Sequence, residues 1–308
     1  MPKNVIVIGG PTASGKSGLA IDLALALNGV VINADASQVY KGIPVISAAP
    51  SSKDYAKVEH RLYEYLDVSV NGNVCLWLEQ AVQTIREVWS RKKTPIVVGG
   101  GGLYLDNLIN GTTPIPEVDS KIRAEVAAFA EQNGQQALYD CLQIQDPQGA
   151  AMLNPMDATR VRRAYEIWRS TGRSIAEWYK EPMVQKIPEA DFLTIALLPA
   201  KKELDFRCDM RFGQMLMQGA VEEVKYLISR DLPVNLPAMR AKGVPELMAA
   251  IEGAVSFEEA AELSKLHTRQ YAKRQLTWFR NKFKADLTFC ECYNGQSNFI
   301  NDVKKQYK

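Results

Sequence analysis

Metal-binding side chains are scarce in this 308-residue chain, which holds two histidines and five cysteines. The cysteines (Cys75, Cys141, Cys208, Cys290, Cys292) form no C-x-x-C pair, and His60 and His267 stand far apart. Zinc centres draw on clustered Cys and His ligands, so that class is excluded and reduced thiols are expected. An excess of one charge is missing too. With 37 Lys and Arg against 35 Asp and Glu, the net charge of +2 argues neither for nor against nucleic acid. No apolar run reaches the ~20 residues of a membrane span, and Met1-Pro2-Lys3-Asn4 runs straight into Val5-Ile6-Val7-Ile8 without an apolar leader. The expectation is a cytoplasmic protein with no membrane attachment, working as a monomer. Repeats and low-complexity segments are lacking as well.

What is present is a strand–helix alternation. Val5–Ile8 is a short apolar run closed by Gly9-Gly10, the pattern of a buried parallel strand. Lys16 to Leu27 reads as a helix with Leu19, Leu23, Ala26 and Leu27 on one face, stopped by Asn28-Gly29. Strands are expected at Val30–Ala34, Pro95–Val98 and Phe192–Leu198, with a late one at Asp286–Cys290, and an amphipathic helix across Leu76–Arg91. The fold class is therefore α/β, a P-loop NTPase-like parallel-sheet core. Between about Val118 and Pro188 helix follows helix, bracketed by Pro114-Ile115-Pro116 and Pro182 to Pro188. The expected organisation is a core of residues 1–113 and 190–308, helical toward its C-terminal end, and a helical insertion of residues 114–189.

Gly10-Pro11-Thr12-Ala13-Ser14-Gly15-Lys16-Ser17 fits G-x-x-x-x-G-K-[ST], with a strand before it and a helix after it. Its glycines let backbone N–H groups converge on phosphate oxygens, and the helix N-terminus adds partial positive charge. Lys16 offers a mobile point charge, and the Ser17 hydroxyl suits a Mg²⁺ shell. The motif marks a diphosphate or triphosphate site without saying which molecule carries it. A kinase or NTPase normally adds a second strand ending in Asp. Here Ile96-Val97-Val98 runs into Gly99-Gly100-Gly101-Gly102 instead. The acid at a strand end is Asp35, in Asn33-Ala34-Asp35-Ala36-Ser37-Gln38-Val39-Tyr40. A carboxylate there, beside the phosphate loop, lies where parallel sheets place chemistry, and it reads as a general base or as a turn-capping residue.

Four segments, Gly10–Ser17, Asn33–Tyr40, Val98–Tyr104 and Arg269–Arg280, occur in that order along almost the whole chain. Together they resemble the tRNA dimethylallyltransferases (isopentenyltransferases), whose pattern is G-P-T-A-S-G-K-[ST], S-x-D-S-x-Q-x-Y, V-G-G-T-x-L-Y and R-Q-x-A-K-R-Q-x-T-W-x-R. The resemblance implies that the loop binds the diphosphate of dimethylallyl diphosphate with Mg²⁺, and that Arg211 contacts the same group. It implies that Asp35 takes a proton from the exocyclic N6 of an adenine next to the anticodon while that nitrogen attacks the donor. It further implies that tRNA, through its anticodon stem-loop, is touched by Asp35, Ala36, Ser37, Gln38 and Gly101. Arg123, Thr159, Arg160, Arg162 and Arg163 of the insertion lie at matching tRNA positions, as do Lys273, Arg274 and Arg280.

The chain departs from the family at four places. Gly101 stands where the family has Thr, and Ala36 replaces Ser of the D-S pair. Ile46-Ser47-Ala48-Ala49-Pro50 replaces G-T-A-[KR]-P, and Gly243-Val244-Pro245-Glu246 replaces G-Y-[KR]-E. Restoring the threonine at 101 is expected to keep or raise the rate.

From Lys265 to Lys284 there are seven Lys or Arg and no acid, with Tyr271, Trp278, Phe279 and Phe283 interleaved. Helical spacing sets Arg269, Lys273, Arg280 and Lys284 along one stripe suited to a phosphate backbone. Arg207 and Arg211 share a helix face, and Gln38 reads as a base-edge reader or as a turn stabiliser. Three rivals stay open: a P-loop kinase or NTPase, a prenyltransferase of free adenine nucleotides, and an RNA-binding protein with a degenerate site.

Overall fold

A computed structural model of the chain describes residues 3–307. Six parallel strands form one sheet in the order β3-β2-β4-β1-β5-β6, where β1 is Asn4–Gly9, β2 Gly29–Asn33, β3 His60–Arg61, β4 Thr94–Gly99, β5 Asp191–Leu197 and β6 Leu287–Phe289. Every residue of β1, β2 and β4 is buried. That explains why these strands read as unbroken apolar runs: helices cover both sides. Alternate residues part to opposite faces. Val5, Val7, Val30, Ile32 and Val97 pack with Trp77, Ile85 and Phe279. Ile6, Ile8, Val31, Ile96 and Val98 pack with Leu19, Leu23 and Phe299.

Strand bounds differ from the expected ones by a residue or so, and β6 is shorter, pairing only at Leu287–Phe289. The helix Lys16–Leu27 has the expected limits, and Asn28 closes it in the left-handed region at φ 50°. Its face differs. Ala26 is exposed, and the buried stripe runs through Leu19, Ala20, Ile21, Leu23 and Ala24. The sheet meets this helix over a wider arc than one i, i+4 line covers. The amphipathic helix spans Val74–Ser90, capped by the Asn73 side chain on the Leu76 N–H.

The chain divides into two compact units, one of residues 1–109 with 187–308 and one of residues 110–186. These limits fall before the proline-based boundaries at 114 and 189. The reason is local: Thr112 and Val184 exchange backbone hydrogen bonds of 3.1 and 2.9 Å, so both flanks belong to the smaller unit. That unit is helical. Its core joins Val126, Leu138, Leu142, Val161, Ala164 and Ile167. The long helix Ser120–Gln145 is broken at Gly134, where φ is 85°.

In the larger unit a third cluster lies beyond the strand ends. Val39, Tyr40 and Ile43 pack there against Phe212 and Met215 of the helix Lys201–Met217, and against Val224 and Leu227 of the helix Ala220–Ser229. Among the described residues no helix is long and apolar enough to cross a membrane.

Candidate active site

β4 lies between β1 and β2, with Gly9 opposite Gly99 and Asn33 opposite Val98. The turns after all three strands therefore leave the sheet side by side. The Ala34 N–H donates to the Val98 carbonyl at 2.8 Å. A Cβ on Gly99 would lie 2.1 Å from the Ala34 carbonyl oxygen, closer than any side chain tolerates. Glycine at 99 is what lets the segment bearing Asp35 cross here.

The phosphate loop turns through Ala13 (φ 64°) and Gly15 (φ 88°) into the helix Lys16–Leu27. A left-handed alanine is costly, so its neighbours must hold it. Ser14 N–H donates to the Pro11 carbonyl, Lys16 Nζ donates to the same carbonyl at 3.1 Å, and the Ser14 carbonyl accepts from the Tyr293 N–H at 2.9 Å. Thr12 is gripped twice. Its N–H donates to Gln275 Oε1 at 2.9 Å, and its hydroxyl accepts from the Arg211 guanidinium.

Asp35 sits at the end of a second set of bonds. Buried Asn33 holds the turn: its Oδ1 accepts the Asp35 N–H at 2.8 Å, and its Nδ2 donates to the carbonyls of Asp35 and Leu62. Trp77 Nε1 donates to the Asn33 carbonyl at 2.6 Å. Ser37 gives Asp35 Oδ1 two hydrogen bonds, from its N–H at 3.0 Å and its Oγ at 2.7 Å. Both fall on one oxygen, which leaves Oδ2 with capacity for a substrate N–H.

Thr12, Lys16, Ser17, Asp35 and Arg211 line one cavity of about 260 Å³. Burial pushes the Lys16 ammonium down to about 8, against the pull of Asp35, with Arg211 adding repulsion. Burial also lowers Arg211, while Cys208 and Asp35 support its charge. Two half-buried cations are thus held together with little anionic company, an arrangement suited to an anion. Burial, and then the Asp35 charge, raises the phenols of Tyr63 and Tyr271, so both stay protonated.

Ile46, Phe212, Met215 and Ala241 give the cavity an apolar part. Its short helix Pro44–Ser47 is clamped at both ends: Glu223 accepts the N–H groups of Val45 and Ile46 at 2.7 and 2.8 Å, and Gln38 Nε2 donates to the carbonyls of Ser47 and Ala48. The turn-stabilising role of Gln38 is thus realised by its amide nitrogen. Its carbonyl end is the part that remains for a base edge.

The helix Phe257–Lys282 divides the diagnostic segment by face. Lys273, Arg274 and Arg280 are exposed, whereas Gln275, Leu276 and Phe279 are buried. Two members of the expected stripe fall out. Arg269 is committed to Asp209, with Nη1 at 2.6 and 2.7 Å from the two carboxylate oxygens, and Lys284 lies past the end of the helix. Leu276 and Phe279 are core, and Phe283 is half-buried.

In the smaller unit, Thr159, Arg160 and Arg162 are exposed on the helix Ala158–Thr171, and Arg123 is exposed on the helix Ser120–Gln145. Arg163 is half-buried beside Glu166 at 3.8 Å, and Arg160 pairs with Asp157 at 3.4 Å. Burial raises the Glu166 carboxyl while Arg163, Arg123 and Arg162 pull it down, which places these cations around one acid.

Sequence reasoning missed Arg240, Lys242 and Tyr271 as cavity residues. Lys242 Nζ lies 5.4 Å and Arg274 Cζ 5.9 Å from the Tyr271 ring centre. The available signal was two cations in the three residues before Gly243, a position already marked by the family pattern. No cluster of three or more His, Cys, Asp or Glu able to hold a metal occurs among the described residues.

Gly101 is fitted to its place. A Cβ there would lie 2.9 Å from the Ala34 carbonyl and 3.0 Å from the Tyr104 ring, so a threonine at 101, whatever it does to the rate, requires these neighbours to shift. Gly101→Thr is expected to destabilise the protein by about 1–3 kcal/mol through overpacking. Thermal unfolding checks this, and an unchanged midpoint would show that the turn yields freely.

Comparison with known proteins adds the family. The model of the IPP transferase family matches residues 38–282. A tRNA dimethylallyltransferase of Nitrobacter hamburgensis is 42% identical over 279 residues, 91% of this chain and 88% of that protein. The crystal structure of the full-length tRNA isopentenylpyrophosphate transferase of Bacillus halodurans superposes with a TM-score of 0.71 at 32% identity, covering 99% of this chain and 95% of that one. The structure of a eukaryotic dimethylallyltransferase acting on tRNA superposes at 0.84 with 29% identity, over 98% of this chain and 80% of that one. The family model over residues 38–282 and a relative 42% identical over nine-tenths of the length place the chain in the IPP transferase family, that of the tRNA dimethylallyltransferases.

Proposed function

We propose that the protein transfers a dimethylallyl group from dimethylallyl diphosphate to N6 of an adenosine beside the anticodon of tRNA, releasing diphosphate. The observation that carries this reading is one cavity lined by Lys16, Arg211 and Asp35. The two cations and the loop N–H groups receive the diphosphate. The apolar wall of Ile46, Phe212 and Met215 suits a short branched hydrocarbon. The adenine amine is a weak nucleophile and a weak acid, so proton removal accompanies attack. N6 forms its bond to the first donor carbon as the carbon–oxygen bond breaks. The bonding pair leaves with diphosphate, and the N6 proton passes to Asp35 Oδ2. Lys16, Arg211 and the loop amides stabilise the charge that grows on the leaving oxygen.

Mg²⁺ fits this donor set as a substrate-borne ion. Ser17 and Asp35 border the cavity, and a magnesium ion held largely by phosphate oxygens needs only one or two protein ligands. Ser17 Oγ would hold it, and the ion would supply further charge neutralisation on the diphosphate.

For the RNA, the anticodon stem-loop is the part that must approach, since its adenine has to leave the stack to reach Asp35. Lys273, Arg274 and Arg280 on one unit, and Arg123, Thr159, Arg160, Arg162 and Arg163 on the other, supply cations and hydroxyl for its phosphates. Ala36, Ser37, Gln38 and Gly101 lie on the turns around the target base. The working unit in this reading is a monomer, acting in the cytoplasm where tRNA is.

The direct test is mass analysis of tRNA nucleosides after incubation with dimethylallyl diphosphate, with AMP offered in parallel. A prenylated adenosine from tRNA alone is the expected result, and prenylated AMP or steady phosphate release from ATP would replace the reading by a rival.

Asp35→Asn is expected to lower the transfer rate by about 10²–10⁴-fold, the usual worth of a general base, with tRNA affinity nearly unchanged. Full residual transfer would remove Asp35 from the mechanism.

The pH dependence has a defined sign. Lys16 is charged below about 8 in the free enzyme and neutral above it, so donor capture weakens as pH rises. kcat/KM for the donor at saturating tRNA is expected to fall about tenfold per pH unit above that point. A flat profile to pH ~10 would remove Lys16 from donor binding.

Alanine at Lys273 and Arg280 is expected to weaken tRNA binding and to flatten the slope of log K against log salt by about one for each phosphate no longer neutralised. An unchanged slope retires both residues as RNA-binding groups.

A further inference from the structure

Gln275 belongs to the segment that reads, from its basic residues, as RNA-binding. Its side chain goes the other way. It is only 6% exposed, and its amide bridges two loops of the active site. Oε1 accepts the Thr12 N–H at 2.9 Å, and Nε2 donates to the Gly100 carbonyl at 2.8 Å. A Cβ on Gly100 would lie 2.4 Å from Nε2, so the glycine turn is shaped around this amide. The neighbouring glycines repeat the pattern. A Cβ on Gly102 would meet the Trp278 ring at 2.4 Å, and one on Gly9 the Phe279 ring at 2.4 Å. One face of the helix Phe257–Lys282 therefore presses on the ends of β1 and β4 through Gln275, Trp278 and Phe279.

We propose that Gln275 is a positioning residue for the donor: it fixes the phosphate loop against the Gly99–Gly102 turn, so donor affinity rather than RNA affinity depends on it. This rests on the donor-binding reading of the loop and deepens it. Thr12 immediately precedes Ala13, the left-handed residue that turns the loop, and its peptide N–H is one of the few handles available on that stretch. Gln275 holds the backbone of Thr12 while Arg211 holds its hydroxyl. Arg211 thereby reaches the cavity on a residue whose own place is set from the helix Phe257–Lys282. Only a side chain with an acceptor and a donor on one planar group makes both bonds at once. Lysine, leucine or a carboxylate makes at most one.

That requirement supplies a test with a signature that simple loss of packing lacks. The variant Gln275→Glu keeps the shape. As a carboxylate it accepts from Thr12 but cannot donate to Gly100, and it sets a negative charge near the phosphate site. As the neutral acid it makes both bonds again, and burial raises the pKa of such a group into a workable range. Binding of inorganic diphosphate by isothermal titration, together with donor and tRNA KM, is measured at about pH 8 and about pH 5.5, beside wild type at each pH. At the higher pH the variant is expected to lose about tenfold in diphosphate affinity and donor KM, with tRNA KM within about twofold. At the lower pH the ratio to wild type should shrink to within about threefold. Gln275→Leu, which cannot be rescued by protonation, should stay about tenfold weaker at both. An equal loss for Gln275→Glu at both pH values, no loss in either variant, or a rise confined to tRNA KM overturns the proposal. The titration with diphosphate reads the loop without any transfer reaction. It therefore reports on Gln275 even if the nucleoside analysis of the wild-type protein should reject prenyl transfer to tRNA.

Discussion

The active site depends on a backbone crossing at the centre of the sheet. β4 lies between β1 and β2, and the Ala34 carbonyl passes through the space that a side chain at 99 would occupy. Because nothing projects from Gly99, the turn carrying Asp35 can lie alongside the phosphate loop. Substitution there would push the Asp35 turn away from the phosphate loop before touching either. The four-glycine run after β4 is thus a set of vacancies, each filled by a particular neighbour: Ala34 at 99 and 101, Gln275 at 100 and Trp278 at 102. It takes the place that a metal-binding acid holds in nucleotide hydrolases, and the carboxylate has moved one strand over, to the end of β2.

Electrostatics follows from that geometry. Lys16 and Arg211 are half-buried in the cavity that Asp35 also lines, and burial lowers both cations. A partly desolvated cation without a full partner is unfavourable in the resting protein. The same deficit would become attraction toward an anion entering the cavity. The Asp35 turn itself is held from elsewhere: Asn33 fixes its backbone, and Ser37 occupies one of its two oxygens.

Legibility in the sequence tracks how local the determining interaction is. The helix Lys16–Leu27 is marked by its phosphate motif at one end and by Asn28-Gly29 at the other, and both ends stand where expected. Asp35 is marked by a strand ending and the phosphate loop nearby. The inner face of that same helix departs from expectation at Ala26, since the arc buried by a sheet is not written in the helix's own periodicity. Arg269 leaves the basic stripe for a related reason: its partner Asp209 lies sixty residues earlier, and only the packing of two helices brings them together. Lys242 and Tyr271 enter the cavity by the same kind of long-range approach. Gln275 is hidden in plain view, because a polar residue in a basic helix reads as one more surface residue until its burial is known.

The helix Phe257–Lys282 shows why a densely basic segment can be characteristic of a family without being uniformly an RNA contact. Its 3.6-residue repeat sends Lys273, Arg274 and Arg280 outward and Gln275, Leu276 and Phe279 inward. The two faces answer to different constraints. Outward cations need only lie near phosphates, and their exact placement is forgiving because Coulomb attraction is long-ranged and solvated. The inward residues meet backbone at van der Waals distance, against glycines that leave no room for change. The segment's positive charge therefore belongs to its outer face, while its inner face meets the phosphate loop and the Gly99–Gly102 turn. A single helix in this way presents cations on one side while a buried amide on the other ties together two turns of the cavity.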